Sequence, residues 1–154
     1  MIYARGNFRL LKAQLIRHMR KHVDSQLYDE SGISSQEFAI YSLSDPRDIR
    51  EVRYVGQTSD PRRRFLQHIS TARLWIPSDR PWWFQPPRLR PLYDWIRELY
   101  GDEGRLPTMV ISAWATSIAE ARLAERARIY DCLQSRLRLL NVEAEILGGQ
   151  LPLI

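Results

Sequence analysis

The sequence predicts an α/β protein of the α+β kind: a small three-stranded antiparallel sheet flanked by helices, with a basic helix ahead of it. Three observations carry that expectation. Glu37 to Leu43 and Glu51 to Gln57 are rich in β-branched and aromatic residues and are joined by Ser44-Asp45-Pro46-Arg47-Asp48, so they should pair as an antiparallel hairpin. A third strand-like segment, Pro107 to Ala115 through Met109, Val110 and Ile111, follows only after two helical segments. A long helix then opens at Ser117 and runs to about Arg136.

The elements follow in order. From Phe8 to His22, the apolar residues Phe8, Leu11, Leu15 and Met19 recur at helical spacing, while Arg9, Lys12, Arg17, Arg20 and Lys21 occupy the rest of the cylinder with no acid among them. Such a helix either packs its stripe and leaves its charges solvated, or also touches a phosphate backbone or a partner chain. A polar connector from Asp24 to Gln36 places a boundary near residue 36, dividing residues 1–36, an N-terminal basic helical extension, from residues 37–154, the main domain.

After the hairpin, Asp60 followed by Pro61 supplies an N-cap and a first-turn proline, so a helix should run from about Pro61 to Ala72 with Arg64 and His68 on one face. Residues 74–90 hold Trp75, Trp82, Trp83 and Phe84 among prolines, which reads as an ordered but irregular insertion, either a lid over the core or a surface for stacking bases. A second helix, about Pro91 to Tyr100, should stop at Gly101. In the last helix Ser117 and Glu120 have capping-box spacing, and Ile118, Ala121, Glu125, Ile129 and Cys132 share a face. Glu125 is the one charge in that apolar stripe. A carboxylate turned toward a core needs a cation, hydrogen bonds or a metal, unless it sits at the rim and reaches water.

Composition narrows the function classes. A chain of 154 residues with 44% hydrophobic residues is the size of one domain. Its net charge of +5 is carried almost wholly by arginine, since Lys12 and Lys21 are the only lysines. Arginine's planar fork matches phosphate, so a nucleic-acid partner is compatible with the charge. Cys132 is the single cysteine, which removes an intramolecular disulfide and a cysteine-based zinc site. Met1-Ile2-Tyr3-Ala4-Arg5-Gly6 opens no apolar signal stretch, and no segment is apolar enough to span a bilayer, so a cytoplasmic protein with no membrane partner is expected.

Ala39-Ile40-Tyr41, Tyr54-Val55-Gly56, an arginine eight residues after that glycine (Arg64) and a histidine four further on (His68) together resemble the GIY-YIG nuclease domain, over roughly Glu37 to Glu145. Glu125 on its long helix resembles the family's metal-binding glutamate, and Asn141 the asparagine that follows it. Ala39 stands where the first motif has glycine. The resemblance implies a metal-dependent endonuclease acting on a nucleic acid, with DNA as the expected substrate. It also implies one Mg²⁺ or Mn²⁺ ion on Glu125, a number of carboxylates that suffices for an ion keeping most of its waters. In that reading Arg64 clamps the reacting phosphate, Tyr41 lies beside the attacking water, His68 takes the tyrosine's proton, Tyr54 positions water or phosphate, and Asn141 braces the site. The other readings are a catalytically silent nucleic-acid-binding module and an RNA nuclease. With little chain beyond the nuclease domain, specificity would come from weak sequence preference, from substrate structure or from a homodimer.

Overall fold

A two-residue turn decides how much of the chain becomes sheet. In the computed structural model, which describes residues 6–27, 37–75 and 90–141, strands β1 (Phe38–Asp45) and β2 (Asp48–Thr58) run right up to Pro46 and Arg47. Asp45 holds this turn by accepting from the Arg47 backbone N–H at 2.9 Å and from its guanidinium at 2.7 Å. The hairpin is therefore longer than the sequence suggests, because one carboxylate ties off a turn that reads as a five-residue loop. The connector 28–36, the insertion residues 76–89 with Trp82, Trp83 and Phe84, the side chain of Phe8 and residues 142–154 lie outside the described residues.

Strand β3 (Thr108–Ala115) pairs antiparallel with β1, giving the order β2-β1-β3. This is the three-stranded antiparallel sheet with flanking helices that the pattern predicts. Helix α2 (Pro61–Ala72) begins where expected, with the Asp60 side chain accepting from the Arg63 N–H at 3.0 Å. Helix α3 (Arg90–Glu103) passes through Gly101 and ends instead at Gly104, whose φ of +62° suits only a residue free of a Cβ clash. Gly101, with nothing near its Cβ position, is simply tolerated on the helix surface. Helix α4 (Ile118–Gln134) is capped by Ser117, while Glu120 reaches one residue further back than a capping box requires, to the N–H and hydroxyl of Thr116.

The first helix is not one regular cylinder. Helix α1 (Gly6–His18) passes into a π-helical turn over Met19–Val23 and a 3₁₀ turn over Asp24–Gln26. Its inward residues Leu11, Leu15, Met19 and Val23 are spaced by four, a period that drifts round a 3.6-residue helix; the wider π turn keeps Met19 and Val23 in phase, and both are buried.

Helices cover both faces of the sheet. On one face Tyr41, Leu43 and Met109 pack with Leu11, Met19, Val23, Phe65, Ile69, Leu92 and Ile96, so the N-terminal helix belongs to the same core as α2 and α3. On the other, Ile40, Val52, Val55 and Ala115 meet Ala121, Ile129 and Cys132 of α4. Two bulges make this division possible. Leu43 pairs with Tyr54 but Ser44 with Val52, so Arg53 is an extra residue that lets Val52 and Val55 face α4 while Tyr54 faces the other way. A second shift leaves Ser112 extra beside Tyr41.

Both sheet edges are closed by side-chain amides. The Asn141 amide donates to the Val55 carbonyl at 2.6 Å and accepts from its N–H at 2.9 Å, next to a Leu140 N–H to Arg53 carbonyl bond. The Gln26 amide does the same on β3, donating to the Met109 carbonyl at 2.9 Å and accepting from the Ile111 N–H at 2.8 Å. Each replaces one rung of a missing strand. Gln26, which by sequence sits in a polar connector, is thus sewn to the sheet.

Replacing Asn141 with Ala would leave both Val55 backbone groups unsatisfied in a buried position, at about 1–3 kcal/mol for each group. Urea denaturation of Asn141→Ala should show a stability loss of about 2–6 kcal/mol with an unchanged m-value. A loss under about 0.5 kcal/mol would mean that water replaces the amide at this edge.

Candidate functional site

Tyr41, Tyr54, Arg64 and His68 arrive at one place from three elements. Tyr41 and Tyr54 lie on the same sheet face because Tyr41 pairs with Gly56, two residues beyond Tyr54. Arg64 and His68, one turn apart on α2, point at them. The Tyr41 hydroxyl lies 2.7 Å from His68 Nε2 and 3.3 Å from Arg64 Nε. The Tyr54 ring lies beside them, 6.2 Å between centroids from that of Tyr41. The rings are edge-on: Tyr54 to His68 at 5.4 Å between centroids and Tyr41 to His68 at 5.9 Å.

Gly56 is what makes room. A Cβ built on it would sit 2.6 Å from the Cζ and hydroxyl of Tyr41, so the Tyr41 ring crosses directly over its backbone. The glycine's service is steric. Ala39, by contrast, is fully buried within β1 between Thr58 and Trp114 and is accommodated as a packed strand residue.

Burial sets the electrostatics. Tyr41 is fully buried and His68 is 1% exposed. Loss of solvation, aided by the neighbouring Tyr54, pushes the Tyr41 phenol far above its usual value, and the hydrogen bond and charge of Arg64 offset this only in part. Burial, with the Arg64 cation second, lowers His68 to about 3. Both groups are therefore neutral at pH 7. Arg64 can only donate, so the phenol oxygen accepts from it and the phenol proton goes to His68 Nε2. A neutral imidazole that accepts at Nε2 carries its hydrogen on Nδ1, which has no hydrogen-bond partner among the described residues. The result is a directed chain, Arg64 to Tyr41 to His68, sealed from water at its inner end and half-buried at the guanidinium.

Tyr93, which nothing in the sequence singles out, completes the wall. It lies on α3, is 4% exposed, and has its ring 6.3 Å from that of His68. A tyrosine three residues into an amphipathic helix reads as ordinary core; only the α2–α3 packing reveals its neighbours.

Glu125 stands apart from this cluster but not out of reach. It is half-buried on α4 between Ala121 and Ile129, while Ile118, placed by sequence on the same face, is 53% exposed at the helix start. Its negative charge is felt at Tyr54, whose phenol is raised chiefly by burial and further by Glu125. Asn141 does not meet the Tyr–His–Arg chain: both its amide bonds go to the Val55 backbone, so it braces β2 between Tyr54 and Gly56 and has no contact of its own with the reacting groups. No group of three or more His, Cys, Asp or Glu side chains converges among the described residues.

The neutral state of His68 makes stability pH-dependent. The unfolded histidine titrates near 6.5 and the folded one near 3, so between these values the unfolded chain binds more protons and stability rises with pH. The contribution is complete above about pH 6.5 and is lost as the pH falls toward 3, with a limiting slope of about 1.4 kcal/mol per pH unit for one such histidine. His18, lowered to about 4 mainly by burial where its ring stacks on Phe65, acts in the same direction. Urea titrations at pH 7 and pH 5 should show the wild type losing stability on acidification and His68→Gln losing distinctly less. Equal losses would place His68 in contact with solvent. Gly56→Ala should disturb the same bond, read as a changed His68 Nε2 NMR shift; an unchanged shift would mean the Tyr41 ring has somewhere else to lie.

Comparison with protein-family models, curated proteins and solved structures gave no match, so the chemistry of this cluster rests on its own geometry.

Proposed function

We propose that this chain is a metal-dependent endonuclease that hydrolyses phosphodiester bonds in DNA, of the GIY-YIG type its motifs resemble. The observation that carries the proposal is the hydrogen-bonded chain of Arg64, Tyr41 and His68, with the Tyr54 ring packed edge-on against His68. A purely structural core has little reason to bury a guanidinium-linked phenol and imidazole together, since each polar group costs desolvation.

The donor set fits a lightly held divalent ion. A single half-buried carboxylate suits Mg²⁺ or Mn²⁺ that retains most of its water, and no cluster of three or more His, Cys, Asp or Glu ligands is present among the described residues. Glu125 would hold it. Such an ion supplies acidity to bound water and neutralises charge on the phosphate.

The protein's own groups do the rest. Arg64, half-exposed and cationic, is the group that meets a phosphate oxygen and stabilises charge growing there. Tyr41 is no standing base, because burial holds its proton. It can instead relay: the phenol oxygen takes a proton from water as its own proton passes to His68 Nε2, so the neutral phenol is regenerated and the imidazole is the true acceptor. His68 is a weak acceptor chiefly because it is buried and secondly because the Arg64 charge faces it; a phosphate seated on Arg64 offsets the second cause alone.

The same burial favours one competing reading, a nucleic-acid-binding module without activity, since the Tyr41 hydroxyl has no open path to solvent. Supercoiled DNA incubated with Mg²⁺, Mn²⁺ or a chelator separates the two. The wild type should nick and linearise the DNA only with metal. Glu125→Ala should abolish this while binding in chelator persists, and Arg64→Ala should lower kcat by about 10²-fold or more with a much smaller change in affinity. Binding without cutting under every metal tested would establish the silent module instead.

A further inference from the structure

We infer that the solvent face of α1 and the π turn after it is a docking surface for the phosphate backbone of duplex DNA, distinct from the Tyr–His–Arg site. Arg9, Lys12, Arg17, Arg20 and Lys21 are all exposed, and none has an ion-pair or hydrogen-bond partner among the described residues. Four exposed arginines elsewhere are paired, Arg47 and Arg105 with Glu103, Arg50 with Asp48 and Arg62 with Asp24. Arg63, Arg122, Arg126, Arg136 and Arg138 are exposed without an ion pair among the described residues, but those five do not line a single helix ridge as Arg9, Arg17 and Lys21 do. Within α1 there is no acidic residue to answer its charge.

The five cations form a pattern. Arg9, Ala13, Arg17 and Lys21 follow one ridge at intervals of four, and Lys12, Ile16 and Arg20 follow the next. Arg9 and Arg17 are about 12 Å apart along the axis, and the small Ala13 leaves an open shelf lined by Ile16, Arg17, Arg20 and Lys21. The inner face of the same helix is fixed in the core by Leu11, Met19 and Val23, so the cations are carried on a rigid support and not on a tether.

The face also adjoins the candidate site. His18 stacks on Phe65 at 5.2 Å, and Asp24 pairs with Arg62, both partners being on α2, which carries Arg64 and His68. A backbone bound along α1 therefore lies beside the helix that supplies Arg64. Duplex DNA fits better than duplex RNA, because a B-form major groove about 12 Å wide admits a helix and the deep, narrow A-form groove does not.

This inference rests on the nucleic-acid reading above but not on catalysis, and its test separates the two. The full-length triple variant Arg17→Gln, Arg20→Gln, Lys21→Gln is compared with a charge-matched control, Arg50→Gln, Arg136→Gln, Arg138→Gln, at exposed positions elsewhere. Both should melt like the wild type, since none of the six residues is buried. Binding to a 20-base-pair DNA duplex is measured in chelator from about 50 to 200 mM salt. The α1 variant should lower the slope of log K against log salt by about 2.7, at about 0.9 for each phosphate that is no longer neutralised, and the control by far less. Equal slopes in the two variants overturn the inference, as does a wild type that does not bind the duplex. A larger effect on an RNA duplex, or on vesicles of phosphatidylserine and phosphatidylcholine, would also overturn it in favour of those partners. Should the slope fall as expected while no metal supports cutting, the docking surface stands and the nuclease reading falls.

Discussion

The bond between Tyr41 and His68 is the constraint around which this protein is arranged. It joins the central strand to α2 through the interior, and it exists only because Gly56 lets the Tyr41 ring lie across β2. The register that sets Gly56 opposite Tyr41 follows from the Asp45-tied turn and from the bulge at Arg53. The helix that carries His68 starts where Asp60 caps it, two residues after β2 ends. A slip of β2 by one residue would send Tyr54 and Gly56 to the face opposite Tyr41 and take away the space in which the Tyr41 ring reaches His68. Register and site are therefore specified by the same few residues.

Polarity is confined in a way that follows from this bond. Three neutral groups, Tyr41, His68 and Tyr93, fill the inner end, and the formal charge that bears on them is Arg64 at the rim. Burying neutral partners costs far less than burying ions. The arrangement keeps imidazole and phenol uncharged at rest while leaving the guanidinium where an anion can reach it. The inner end thus holds no charge in the resting fold, and the cation nearest to it is Arg64 at the rim.

Much of this is legible in the sequence, and the failures are instructive. Strands, helix starts and the Arg64–His68 face follow from local chemistry: β-branched runs, Asp60-Pro61, Ser117, and a spacing of four. The stripe that singles out Glu125 is also local, and the residue is half-buried on α4, although Ile118 in the same stripe is exposed. What periodicity cannot reveal is whatever depends on distant partners. Gln26 reads as a connector residue, yet its amide closes the β3 edge; Asn141 reads as part of the site, yet its amide closes β2. Gly101 resembles a helix stop, and the stop is Gly104, because a glycine ends a helix only where the chain needs a positive φ. Tyr93 looks like core and is core, and its place beside His68 is set by how α3 lies on α2.

The layering has a final consequence for how the site could work. Arg64 and His68 come from a helix on one sheet face, whereas Glu125 comes from α4 on the other, and the Glu125 charge raises the Tyr54 phenol. Neither half is complete in a partly folded chain. Asn141 bonds to Val55, the residue between Tyr54 and Gly56 and one that packs on α4, so it holds the stretch of β2 through which the layers communicate. A residue with no contact to the reacting groups can therefore govern their alignment, since a shift in β2 there moves Tyr54 relative to Glu125 and Gly56 relative to Tyr41 together. That coupling ties the placement of Tyr54 and Gly56 to the Asn141 amide and acts wholly through the β2 backbone.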